Sequence, residues 1–226
     1  MDPIAHLALA TTAFLATHYV ASTPLRGALV TSLGEPPYLG AYSLVSFLTL
    51  GWMIYAYRQA PFMPLWQVPG LKLLPLFVMP FALILFACGI MGRNPTAVRQ
   101  ESALKSEEPA RGILRVTRHP MMWGFAFWAA VHVLARGDAA SLVFFGGFLL
   151  LALSGTVLID ARKAGTLGED WTRFAAVTSN IPFWAIVGGR NRFRLAEIGW
   201  TKILAGLVLY AVFFALHSYL FGAGPY

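Results

Sequence analysis

The chain has 226 residues, of which 58% are hydrophobic and only 12% charged, and its mean hydropathy is +0.64. That balance excludes an ordinary soluble domain and points to an integral membrane protein. The net charge of +7 comes from 17 Lys and Arg against 10 Asp and Glu, and a single cysteine, Cys88, excludes an intrachain disulfide.

The start, Met1-Asp2-Pro3-Ile4, has no basic n-region, so no cleavable signal peptide is expected. The first apolar run then reads as a mature membrane helix. In chain order six runs are expected to span, at about residues 4–22, 40–57, 72–92, 119–136, 141–160 and 201–222. Each is near the roughly 20 residues that cross a bilayer. Pro75 and Pro80 make the third run the least regular and the one expected to kink. There is no repeat of 20–50 residues and no low-complexity segment, so the fold class expected is all-α: one bundle of about six transmembrane helices over residues 1–226.

Charge placement orients that bundle. If six helices alternate, the loops after the first, third and fifth runs hold 14 of the 17 Lys and Arg, and the other side holds Arg58, Lys72 and Arg136. The positive-inside rule makes the heavy side cytoplasmic and puts both termini outward, in a bacterial inner membrane. The basic residues flank spans without the pattern of a reading helix, so no nucleic-acid partner is expected; the partner is the lipid bilayer.

The stretch with most chemistry runs from Arg118-His119-Pro120 to His132. Pro120 suits the first turn of a helix, where its missing N–H has no intrahelical partner. Arg118 and His119 then stand at a helix mouth, and His132 lies 13 residues on, roughly 20 Å at helical rise. His6, His18, His132 and His217 fall inside spans. Ionisable groups there are costly, so each reads as functional, against the plainer reading of an imidazole bonded to a neighbouring helix. No HExxH, zinc-finger spacing, GxGxxG or P-loop is present. Separated histidines in an aromatic bundle do fit b-type haem, clamped by axial imidazoles. By depth alone His132 pairs more readily with His217, since His18 is offset from it by roughly 10–15 Å at helical rise.

Four segments resemble the NnrU family of bacterial membrane proteins, which includes a plant relative, zeta-carotene isomerase. They are His18-Tyr19-Val20-Ala21-Ser22-Thr23-Pro24-Leu25-Arg26 with Leu33-Gly34-Glu35 and Tyr42-Ser43-Leu44; Gly112 to Pro120 with Gly124, Trp128 and His132; Gly168-Glu169-Asp170-Trp171 with Thr178 to Phe183 and Gly189-Arg190; and the late His217. The resemblance implies a multi-span protein and, through the plant relative, haem b with histidine ligands and redox-dependent cis–trans isomerisation of a carotenoid-like polyene. The haem-linked histidines of that relative fall on His18 and His132. Its cysteine three residues before the second histidine falls on Ala129, which cannot ligate iron. A non-catalytic haem redox or nitric-oxide accessory role in denitrification, which the bacterial family's context implies, is the alternative.

Arg-His-Pro-x-x-x-Gly also resembles the motif of membrane isoprenylcysteine and thiol methyltransferases, which bind S-adenosylmethionine nearby. Met122 stands where that family has tyrosine, and Asp160, Glu169 and Asp170 match its acidic residues only loosely. Either resemblance makes Arg118 and His119 an anion site, for a cofactor carboxylate or a haem propionate. The plainer reading of Arg118 is a snorkelling interface arginine.

Overall fold

The computed structural model describes residues 1–225, and its regular structure there is helical apart from an isolated bridge between Pro64 and Asp138. The helices are α1 (Pro3–Val20), α2 (Pro24–Leu33), α3 (Glu35–Gln59), α4 (Leu74–Met91), α5 (Pro120–Arg136), α6 (Ala139–Val177), α7 (Trp184–Val187), α8 (Leu195–Ile198) and α9 (Trp200–Phe221). The six expected runs fall on α1, α3, α4, α5, the first half of α6 and α9.

By length and composition alone, α3, the stretch Pro69–Met91, α6 and α9 can cross a membrane. A fifth crossing counts α1 and α2 together, although they are bent by 70°. Helix α5 has 17 residues, about 25 Å at helical rise, a little short of a hydrocarbon core of about 30 Å. Local sequence explains the ends. The Asp2 carboxylate caps α1 through the Ala5 N–H (3.0 Å), and Asp138 caps α6 through Ser141 (3.0 Å). Pro120 opens α5, as its sequence position predicts. In α4, Pro75 lies in the first turn and Pro80 inside a helix that continues past it. Helix α6 outruns the expected 141–160 and breaks its regularity at Gly168, where φ is +53°.

The long helices pack in the order α3, α1, α6, α5, α4, α9, with α5 and α6 in the middle. Close approach in this row depends on small residues. A Cβ on Gly124 of α5 would stand 2.8 Å from the Ala82 carbonyl oxygen of α4. One on Gly206 of α9 would stand 2.5 Å from the Ile84 Cα. Two apolar cores result. One joins Leu7, Ala10 and Phe14 of α1 to Met53, Ala129, Phe144 and Phe145. The other sits below it, around Leu114, Trp171 and Phe174.

The two ends of the row are chemically distinct. Backbone bonds from Leu65 to Gly137 and from Ala139 to Met63 tie the α3–α4 connection to the α5–α6 turn at one end. His6, bonded to Trp52, and Tyr210, bonded to Leu76, belong to that same end. The opposite end carries the mouth of α5 and the connections around residues 94–118 and 178–197.

Candidate functional site

The mouth of α5 is held by loops on both sides. The Arg118 N–H donates to Ser179 O (3.0 Å), and Thr117 and Trp123 both donate to Asn180 O (2.6 and 2.8 Å). The Arg118 carbonyl accepts from Asn94 (3.3 Å) and Thr96 (3.0 Å). So clamped, the Arg118 and His119 side chains meet Asp160 of α6. Arg118 Nε donates to both carboxylate oxygens (2.9 and 3.0 Å), and a terminal nitrogen donates to Oδ2 (2.6 Å). His119 Nε2 lies 2.7 Å from Oδ1, and Asn180 Nδ2 lies 3.3 Å from Oδ2. A carboxylate only accepts, so Nε2 carries the proton, and the buried Nδ1 has no hydrogen-bond partner. The Arg118 guanidinium also lies 5.8 Å from the Trp171 ring centre. The anion that these two residues face is thus the chain's own Asp160. An external carboxylate reaching the cavity of about 230 Å³ beside Arg118 has to compete with it.

Below this lies a second network. Arg115 bonds Glu197 through Nε (2.7 Å), and it also bonds Asn191 (2.7 Å) and Glu108. Glu197 further accepts from the Gly112 N–H (3.1 Å). The Arg115 bond holds the Glu197 carboxyl well below its ordinary range, at about 2. A depressed carboxylate stabilises the fold fully above its unfolded-state range and loses that contribution as pH falls through the folded value. Glu197→Gln is therefore expected to lower the neutral-pH melting temperature and to flatten its decline from the ordinary carboxylate range down to about pH 2. An acid limb unchanged in the variant counts against this role.

Two histidines of the spans, His18 and His132, share one local device. His18 Nδ1 lies 2.7 Å from Phe14 O, and His132 Nδ1 lies 2.7 Å from Trp128 O, each four residues back on its own helix. A carbonyl only accepts, so both Nδ1 atoms carry the proton, and each neutral ring keeps its lone pair on Nε2. His217 Nδ1 instead reaches forward to Ala223 O (2.7 Å), past the end of α9. His6 differs, because its Nε2 accepts from Trp52 (2.8 Å).

His18 and His132 are joined by aromatic rings. Phe14 lies 4.2 Å from His18 and 5.2 Å from Phe148, which lies 5.2 Å from Trp128. His132 stacks on Phe145 (5.0 Å, 30°) and lies 5.6 Å from Trp128. Helix α6 measures the offset. Phe145 faces His132, whereas Ser154 bonds Tyr19, next to His18 (2.7 Å). Those nine residues span about 13 Å at helical rise, in line with the offset read from the sequence. Among the described residues no group of three or more His, Cys, Asp or Glu gathers as for a bare metal ion.

Sequence reading singled out Arg118 and His119 but not Asp160, the carboxylate that both bond. Asp160 stood only as a loose match to a motif, and Asn180 only inside a resemblance. The available signal was an acidic residue at the end of an apolar run, on the same side as a basic mouth.

Residues 6–225 match the family described as NnrU protein. The chain belongs to the NnrU family. Among curated proteins this NnrU chain is similar to the chloroplastic 15-cis-zeta-carotene isomerase of Zea mays, 32% identical over 104 residues, which are 42% of this chain and 28% of that protein. It is also similar to the protein of that name in Arabidopsis thaliana, 39% identical over 80 residues, which are 35% of this chain and 22% of that one. The matched stretch therefore spans less than a third of either relative's length. No solved structure matches.

The haem that the sequence resemblance implies can be tested against the donor set. His18 and His132 fit it in chemistry: each offers an Nε2 lone pair, oriented by a hydrogen bond at the other ring nitrogen. The rings of Phe14, Phe148 and Trp128 fill the space between them, so a porphyrin held from both sides requires those rings to turn aside.

Proposed function

We propose that this NnrU protein holds haem b between His132 and His18, with His217 as the competing second ligand, and that it acts in redox-dependent cis–trans isomerisation of a carotenoid-like polyene. The observation that carries the reading is the repeated Nδ1-to-own-helix bond, which leaves Nε2 of each histidine free for iron. The named activity of the two plant relatives supports the polyene. The haem would supply an iron that changes oxidation state.

The chain's own residues supply the surroundings. Phe14, Phe148, Trp128 and Phe145 form an apolar, ring-lined path that excludes water and suits an uncharged polyene. The Phe14 and Trp128 carbonyls fix which imidazole nitrogen is protonated. The surplus of Lys and Arg at the α5 mouth and neighbouring loops supports an orientation in a bacterial inner membrane with both termini outward.

The test is an absorption spectrum of detergent-purified, haem-reconstituted protein, followed by anaerobic incubation of its reduced form with a cis-polyene and chromatographic separation of isomers. A Soret band with sharp reduced α and β bands and a shift toward the trans isomer is the expected result. No haem spectrum overturns the reading. Haem without isomerisation selects the second reading, a redox or nitric-oxide accessory protein. That reading is favoured by Ala129, which is fully buried one turn before His132 and has no thiol to exchange.

A further inference from the structure

The His18 end of α1 holds a cluster that the α5 mouth leaves unused. Its first member is Arg162 of α6. One terminal nitrogen donates to the Ala21 carbonyl just past α1 (3.1 Å), yet a guanidinium carries five donors. The nearby carboxylate, Glu101, is already bonded to the buried Lys163. The turn after α1 that Arg162 holds leads into Arg26 of α2, and Tyr42 of α3 meets His18 at the same end of α1. Arg26 lies over the Tyr38 ring, 5.6 Å from its centre, and its acid, Glu35, is a distant and exposed partner at 3.5 Å.

Tyr38 is the second, independent observation. It is 4% exposed, and its hydroxyl is buried without a hydrogen-bond partner. A buried unsatisfied hydroxyl beside two cations is costly unless an acceptor arrives. The two guanidiniums only donate and the hydroxyl can donate with them, so the acceptor that satisfies all three is an oxyanion. The cluster adjoins the apolar interior through Tyr42, which stacks 6.1 Å from Tyr38 and meets His18 edge-on at 5.8 Å.

We propose that Arg26, Arg162 and the Tyr38 hydroxyl bind the oxyanion head, carboxylate or phosphate, of an amphiphile whose apolar body lies along α1 and α3. A cofactor carboxylate as the source rests on the haem reading above, whereas a lipid phosphate does not. In contrast to Arg118 and His119, whose anion is Asp160, these donors lack a full internal counter-charge.

The full-length protein in detergent tests this with two probes, hemin by titration and phosphatidylglycerol against phosphatidylcholine by native mass spectrometry. The variants are Tyr38→Phe, Arg162→Gln, which can still donate to Ala21, and the exposed control Arg192→Gln. Tyr38→Phe and Arg162→Gln are each expected to weaken one probe on the order of tenfold, the worth of a hydrogen bond to a charged group. Because it removes an unpartnered hydroxyl, Tyr38→Phe is expected to leave the melting temperature of the empty protein unchanged or raised. Loss of hemin affinity with an unaltered low-spin spectrum at saturation identifies the cofactor carboxylate. Loss of the phosphatidylglycerol preference identifies a lipid head. If wild-type protein binds no hemin, the haem reading fails and the lipid probe alone decides. Wild-type binding of both probes by both variants overturns the proposal. So does an equal loss in Arg192→Gln, or a loss seen only together with a lowered melting temperature.

Discussion

His132→Ala is expected to abolish the low-spin bis-imidazole haem spectrum and to lower haem retention by at least about 100-fold, because even partners that only orient a ligand cost 10–100-fold when removed. The variant truncates a half-buried ring stacked on Phe145, and the neighbouring Trp128 and Phe148 can relax into the space, so the fold is expected to survive. The second ligand is decided by the same spectrum. Loss in His18→Ala with survival in His217→Ala selects the pair that the family correspondence gives. The reverse selects the pair at similar depth. Ala129→Cys adds a sulfur one turn before His132 and is expected to perturb the spectrum by offering iron a competing ligand. Wild-type spectra in all three alanine variants would remove haem ligation from these histidines altogether.

Asp160→Ala is expected to be the most destabilising single change at the basic end, by about 3–5 kcal/mol, because it strands the Arg118 charge and the fully buried His119 N–H together. Arg118→Ala leaves Asp160 still bonded to His119 and Asn180, so a smaller loss of about 1.5–3 kcal/mol is expected. Asp160→Asn keeps an acceptor but loses the charge and should fall between wild type and Asp160→Ala. Thermal unfolding in one detergent at fixed lipid content measures all three. An Asp160→Ala protein that melts like wild type would mean that Asp160 is not the counter-ion holding the α5 mouth.

What the sequence by itself determined follows from local rules. Runs of apolar residues near the length of a bilayer place α1, α3, α4, α5, α6 and α9 where they are. Proline at a first turn opens α5 at Pro120, and the aspartates that begin α1 and α6 cap them. The histidine device was half legible: a histidine in a helix can always reach the carbonyl four residues back, but whether it does so depends on its rotamer. Only the tertiary structure decided the rest. Asp160 lies 41 residues beyond His119, and nothing in either neighbourhood marks it as the counter-ion. It becomes so because α5 and α6 pack side by side, with Ala129 buried in one cluster with Phe144 and Phe145 of α6. The bend of 70° between α1 and α2 is local by contrast, because Thr23, ahead of Pro24, is extended and Pro24 opens the next helix. The rings of Phe14, Phe148 and Trp128 come from three helices, and their meeting between two histidines depends on helix order and rotation, which hydropathy does not encode. Arg162 and Tyr38 show the same division: each reads in sequence as an ordinary residue near a span end, and only the packing of α1 against α3 and α6 sets Arg162 on the Ala21 carbonyl and buries the Tyr38 hydroxyl.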